Sequence, residues 1–142
     1  MKPTTIQQRL ARASTPDLHR RIKRLWVRHS IAEDRRDIDG LIATLSEDCT
    51  YEIVVTGQRW EGPDGARAFY TELFAAFPDN AFALTEIVVG PQGVFEVATL
   101  TGTNQGPWAG VPASGLVSMA PGPCGARSRP AVSGGSPRTC RE

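Results

Sequence analysis

Between Pro63 and Pro78, the residues Ala66, Phe69, Tyr70, Leu73, Phe74 and Phe77 recur at spacings of three and four, which sets all six on one stripe of a helix. Four of the six carry aromatic rings, so the stripe is too apolar to face water and has to be covered by another layer. Gly62 and Pro63 suit the start of this helix, and Pro78 ends it.

Two segments with strand character follow, residues 81–89 and 94–103, joined through Gly90, Pro91, Gln92 and Gly93, a hairpin-turn composition. They are expected to cover the aromatic stripe. Ahead of the helix, residues 49–56 alternate Tyr51, Ile53 and Val55 on one face with Glu52, Val54 and Thr56 on the other, the period of a half-buried strand. Gly57 and Gln58 then turn the chain toward Arg59, Trp60 and Glu61.

Two further helices open the domain. Thr15 can cap the first, Pro16 suits its first position, and Asp17 complements its dipole. Leu18, Ile22, Leu25, Trp26, His29 and Ala32 form its buried stripe. The second is short, opens at Asp37 or Asp39, carries Ile38, Leu41, Ile42 and Leu45, and is broken by Ser46, Glu47 and Asp48. Helix, helix, strand, helix, strand, strand is an α+β order.

With 142 residues, 40% of them hydrophobic, the chain suits one domain. Its formal charge of +1 gives no general attraction to nucleic acid or acidic lipid. The local basic run Arg9, Arg12, His19, Arg20, Arg21, Lys23, Arg24 and Arg28 reads as a solvated helix face, because Glu33, Asp34, Asp37 and Asp39 follow it. Neither nucleic acid nor membrane is an expected partner, since no apolar run reaches membrane-spanning length. Cys49, Cys124 and Cys140 are odd in number, lack a Cys-x-x-Cys pair and have no metal-ligand spacing to His19 or His29, which points to a reducing, cytoplasmic setting without a metal site. No phosphate-binding glycine loop occurs, so no cofactor is expected.

After Gly115 the pattern ends. Of the 27 residues 116–142, sixteen are Gly, Pro, Ser or Arg, and the one acid is Glu142. Two readings fit: a disordered tail that cannot bury enough apolar area, or an out-of-frame stretch of a GC-rich gene, whose neighbouring frame from Arg127 onward permits a strand-turn-strand peptide. The expected division is an arm at residues 1–14, an incomplete domain at 15–115, and a low-complexity tail at 116–142.

Residues 37–51 (DIDGLIATLSEDCTY), 60–69 (WEGPDGARAF) and 100–110 (LTGTNQGPWAG) resemble the SnoaL-like polyketide cyclases of the nuclear-transport-factor-2-like group. The resemblance spans residues 18–115. It implies a cone-like fold in which N-terminal helices pack on a curved, mainly antiparallel sheet, here with the last strands missing or replaced. It also implies a small apolar or aromatic ligand, and a homodimer weakened by the altered C-terminus. Ester cyclases of the family close a ring by an intramolecular aldol step, with an aspartate acid/base on the strand after a Gly-Thr-His-x-Gly segment. In Gly102-Thr103-Asn104-Gln105-Gly106 the histidine is replaced by Asn104, which carries no proton near neutral pH, and residues 116–142 contain no aspartate. The first-strand base of ketosteroid isomerases falls on Ile53, and Leu100, Thr101 and Gly102 offer no acid of the epoxide-hydrolase kind. The resemblance thus implies a ligand-binding domain impaired in the family's own catalysis, with no catalytic residue assigned. The alternatives are a non-catalytic binding or dimerisation module, an isomerase-like enzyme of the same fold, and a damaged coding sequence.

Six residues are candidates for ligand contact. His29, on the apolar stripe, is either a satisfied core histidine or a base partnered by Glu33 one turn on. Tyr51 either offers its hydroxyl to a ligand or packs. Trp26, Trp60 and Trp108 are large amphipathic surfaces suited to a ring-shaped ligand, and core packing explains Trp26 equally. Asn104 shares strand parity with Ala98, Leu100 and Gly102 and is the first choice for a polar pocket group. Asp64, Glu72 and Asp79 read as dipole-complementing or solvent charges.

Overall fold

Thr15 caps the long helix as expected: its side chain accepts from the Leu18 amide in a computed structural model that describes residues 5–54 and 56–122. That helix, α2 (Pro16–Asp34), is preceded by α1 (Ile6–Leu10), a single turn closed by a capping box between Thr5 and Gln8. None of the α1 residues is buried; the arm is tied back where the Arg12 guanidinium donates to the Pro91 carbonyl at 3.4 Å.

Asp37 caps α3 (Ile38–Ile42) through the Gly40 amide. The chain then forms β1 (Thr50–Ile53) and β2 (Gln58–Glu61), paired antiparallel from Thr50↔Glu61 to Ile53↔Gln58. The strand expected over residues 49–56 is shorter, because the Thr56 and Gly57 amides both return to the Ile53 carbonyl and Gly57 takes φ 71°, which turns the chain at once. Val55 lies outside the described residues.

Next come α4 (Gly62–Ala76), β3 (Ala81–Gly90) and β4 (Gly93–Thr103), the last two forming a hairpin through Pro91 and Gln92. A bulge between Leu84 and Glu86 shifts the register, and the Thr85 hydroxyl donates to the Val97 carbonyl there. The aromatic stripe of α4 is covered differently from expectation. Helix α4 packs on α3 and on the β1–β2 hairpin, whereas α2 crosses β3 and β4. Just past the end of α4, Phe77 lies against Gly102 of β4. Ala32, Leu41, Leu45, Tyr51, Trp60 and Tyr70 are among the residues of the core so formed.

A fifth strand, β5 (Val117–Gly122), pairs antiparallel with β4 from Thr103↔Val117 to Ala98↔Gly122. It carries regular structure past Gly115, where the sequence pattern stops. Among the described residues the order β3-β4-β5 leaves β5 at an edge, a setting in which a prolyl residue such as Pro121 is tolerated in a sheet. The rest of the expected tail, residues 123–142, lies outside the described residues. The fold is thus α+β with antiparallel sheets, one of two strands and one of three, that do not close on each other.

The β1–β2 hairpin rests flush on the first turn of α4 because Gly65 has no side chain. A Cβ there would stand 2.9 Å from the Trp60 carbonyl carbon and 3.3 Å from its Cα, contacts with backbone that cannot rotate away. Glycine-to-alanine changes inside helices ordinarily stabilise. Gly65→Ala is expected to do the reverse, by about 1–3 kcal/mol, as a fall in the urea midpoint at unchanged slope.

Candidate functional site

Helix α2 turns Ile22, His29 and Ala32 into the protein, and one turn beyond His29 it places Glu33 at the edge of the same face. Opposite stand Thr44, just past α3, Tyr70 in the middle of α4, and Tyr51 on β1. Tyr51, Tyr70 and Thr44 are all but fully buried and His29 is buried with 9% of its surface exposed, so their polar atoms have to find partners within the protein.

They find one another. His29 Nδ1 lies 2.7 Å from Thr44 Oγ1, and Thr44 Oγ1 donates to the Leu41 carbonyl at 2.6 Å. His29 Nε2 lies 3.1 Å from the Tyr70 hydroxyl. That hydroxyl is also 3.2 Å from the Tyr51 hydroxyl and donates to Glu33 Oε1 at 3.1 Å. Tyr70 is therefore the junction of four polar side chains from α2, β1 and α4. Ring contacts hold it there: Tyr51 crosses it at 5.4 Å and Phe74 lies 5.6 Å away, while Phe69 stacks on Tyr51 at 4.7 Å.

Burial moves both titratable ends of this network toward their neutral forms. The His29 imidazole is pushed down to about 4 by burial. The Glu33 carboxyl is pushed up to about 7, chiefly by burial, with the Tyr70 hydrogen bond opposing and the charges of Glu96 and Asp34 reinforcing. The Tyr70 hydroxyl is raised well above its usual range, first by burial. A carboxyl that titrates near neutral pH suits a general acid or base.

Glu96 reaches this region from β4, where its Oε2 accepts from Trp26 Nε1 at 2.7 Å. Leu84 and Ile87 are the cross-strand partners of Ala98 and Glu96 and so share the face from which Glu96 meets α2. They are 43% and 41% exposed. An apolar sheet surface thus stays open to solvent on the face that carries the Glu96 and Trp26 pair.

The remaining candidates lie elsewhere. Trp60 is buried and stacks parallel to Trp108 at 6.1 Å, and both contact Phe69 edge-on. Asn104 follows β4 and is buried, but its amide is engaged by the local loop: Nδ2 donates to the Gly106 carbonyl at 3.0 Å, and Oδ1 accepts from the Ser114 amide at 2.7 Å. The structure thus joins His29 and Tyr51 through Tyr70, pairs Trp60 with Trp108, and sets Trp26 on the opened sheet face. Sequence reasoning missed Tyr70, Thr44 and Glu96 as polar partners. Tyr70 was hidden by its place in an aromatic stripe, although a tyrosine at a helix position that must be buried signals a hydroxyl in need of partners.

Among the described residues no cluster of three or more His, Cys, Asp or Glu side chains is arranged to hold a metal ion, and no helix is long and apolar enough to cross a membrane.

A family model for SnoaL-like polyketide cyclases matches residues 17–118. Among solved structures, a protein from Jannaschia sp. CCS1 assigned as a SnoaL-like polyketide cyclase has TM-score 0.58 and 23% identity, covering 78% of this chain and 78% of that one. AclR from Streptomyces galilaeus, assigned as a hydroxylase, has TM-score 0.57 and 24% identity over 71% of this chain and 74% of its own. A protein from Novosphingobium aromaticivorans assigned as an aromatic ring hydroxylase has TM-score 0.58 and 22% identity, covering 77% and 76%. At these identities the likeness is one of fold. No curated protein sequence matches.

The two shifted groups act on stability with opposite signs. Glu33 is raised from 4.5 to about 7, so the folded state holds the extra proton and stability falls as pH rises through that window. His29 is lowered from 6.5 to about 4, so the unfolded state holds the extra proton and stability rises with pH between those values. Glu33→Gln is therefore expected to leave a rising stability between about pH 4 and 6.5, and His29→Gln a falling one between about 4.5 and 7. Urea unfolding of each variant across this range gives the two slopes.

Proposed function

The chain belongs to the SnoaL-like polyketide cyclase family, and on that premise we propose that it binds a small, largely apolar ring system of polyketide type and is impaired in the family's own ring closure. The observation that carries the binding half is the open inner face of the three-stranded sheet. Leu84 and Ile87 stay partly solvated on it, with Trp26 and Glu96 on the same side. A flat apolar ring laid there would remove that surface from water at about 25 cal/mol per Å² of apolar area, and Trp26 offers an aromatic edge against it.

Impaired ring closure is supported by the absence of any aspartate in residues 116–142, where the family's acid/base would fall, and by what stands at the position of the family's histidine. Asn104 is drawn into the loop that closes β4 and cannot carry a proton near neutral pH. In this reading His29 and Tyr51 stand behind the ligand face and hold its polar groups in place, while Trp60 and Trp108 form a rigid aromatic wall.

A dimerisation module is the second reading, favoured by the opposite sheet face, where Val88 and Phe95 are cross-strand partners and 61% and 58% exposed. An apolar pair so placed suits a self-association surface. Sedimentation of the wild type beside Phe95→Lys tests it: a dimer lost in the variant supports the module, and a monomer in both removes it.

The ligand reading is tested by thermal unfolding of the whole chain with a panel of aromatic polyketide esters, alongside tryptophan fluorescence. A bound ester at 100 times its dissociation constant stabilises by about 2.7 kcal/mol, an upward shift of several degrees, and Trp26→Phe is expected to lose most of the fluorescence change. A midpoint unmoved by every ester overturns the reading.

A further inference from the structure

The hydrogens around Tyr70 do not fit the four heavy atoms when Glu33 is ionised and His29 neutral. Thr44 has one hydroxyl proton, and at 2.6 Å it is committed to the Leu41 carbonyl. His29 Nδ1, 2.7 Å from the same hydroxyl, must then carry the imidazole proton and donate. That leaves Nε2 as an acceptor, 3.1 Å from the Tyr70 hydroxyl. Yet Tyr70 has one proton as well, and an ionised Glu33 takes it at 3.1 Å. Two acceptors compete for one donor.

A proton on Glu33 removes the conflict. The carboxylic O–H then donates to the Tyr70 oxygen across the same contact, the Tyr51 hydroxyl donates to it at 3.2 Å, and Tyr70 is free to donate to His29 Nε2. The Tyr70 oxygen then accepts two hydrogen bonds and its one proton has a single claimant, so the competition is gone. The two arrangements differ by one proton on Glu33 and by a turn of the Tyr70 hydroxyl through a single torsion. The other Glu33 oxygen, Oε2, has no hydrogen-bond partner among the described residues, and the side chain is partly open to solvent.

We infer that Glu33 is the proton-transfer residue of this chain, with Tyr70 as a two-position hydroxyl behind it, acting on a ring-bearing 1,3-dicarbonyl compound. This rests on the ligand reading above and adds to it a catalytic group outside the strand-end position of the family. In the step, Glu33 Oε2 takes a proton from the carbon between the two carbonyls. The C–H bond breaks, its electron pair passes into the enolate, and Oε1, no longer part of a charged carboxylate, releases the Tyr70 hydroxyl to turn to His29 Nε2. Glu33 then returns the same proton to the enolate oxygen, and Tyr70 turns back. The net change is keto to enol, without a co-reactant. A carbon flanked by two carbonyls is far more acidic than the α-carbon of a simple ketone, so a carboxylate removes its proton against a smaller barrier. The titratable and charged groups facing Glu33 are His29 and Asp34 on α2, Tyr70 on α4, Tyr51 behind it on β1, and Glu96 on β4.

The test uses the full chain and 1-phenylbutane-1,3-dione, whose keto and enol forms differ in ultraviolet absorbance. Relaxation after dilution from organic solvent is followed from pH 5 to 9 for wild type, Glu33→Gln and Tyr70→Phe, with binding checked separately by thermal shift. Wild type is expected to accelerate relaxation with a rate that rises with pH as the carboxylate forms. Glu33→Gln is expected to bind equally and lose on the order of 100-fold in rate. Tyr70→Phe is expected to move the midpoint of the pH profile upward, because the carboxylate loses its donor, a change that loss of packing alone does not produce. A Glu33→Gln variant that binds and keeps the wild-type rate overturns the proposal. So does a wild type that binds without acceleration, or an unmoved Tyr70→Phe midpoint, and in all three cases the ligand reading stands. A wild type that does not bind the dione or any aromatic ester removes the ligand reading and this proposal together.

Discussion

The structure depends on where the hydroxyl of Tyr70 can go. An aromatic stripe brings α4 into the core on apolar grounds alone, but Tyr70 carries a polar atom with it, and a buried hydroxyl without partners costs as much as several methylene contacts contribute. Partners are supplied by α2 rotated so that His29 and Glu33 both face α4, and by β1 in register to bring Tyr51 alongside. Apolar packing would tolerate small rotations of α2. The hydrogen-bond junction does not, so the least apolar atom of the stripe sets the geometry of three elements.

The same reasoning separates what was legible in the sequence from what was not. Helices α2 and α4 were readable because their caps and their stripes agree: Thr15 and Pro16 start one, Gly62 and Pro63 the other, and both stripes keep one phase throughout. The β3–β4 hairpin was readable from its turn. Which layer covers α4 was not, because periodicity says that a face is buried and nothing about what buries it. Gly65, which lets the β1–β2 hairpin settle on α4, carries no apolar signal at all. Strand β5 was also hidden. Its pairing is made by the unpaired edge of β4, whose backbone groups recruit a partner strand with little regard to side-chain pattern.

At the site, the balance of signals was different. His29 and Glu33 were visible as a possible pair by their four-residue spacing, but that spacing suggests a direct contact, and the structure joins them through a third residue instead. Trp60 and Trp108 are legible as large aromatic surfaces, but their stacking on each other is not, because sequence carries no sign of which rings meet. Strand parity groups Asn104 with Ala98 and Gly102, and Asn104 is buried. Parity does not reveal that β4 ends one residue earlier and that the loop to Ser114 claims both ends of the amide.

In the proposed step the carboxylate stands on a helix, and that placement has a physical consequence. A carboxylate at the end of a strand is held by loops, and its surroundings change with every loop insertion. Glu33 sits in the last turn of a helix of nineteen residues, where the carbonyl end of the dipole disfavours a negative charge and adds to the effect of burial and of Glu96. Three independent influences, dipole, desolvation and like charge, therefore push one carboxyl in one direction, and the Tyr70 hydroxyl pushes it back. A group balanced in this way changes its protonation for a small change in surroundings, and the arrival of an apolar ring that strips away its remaining water is such a change.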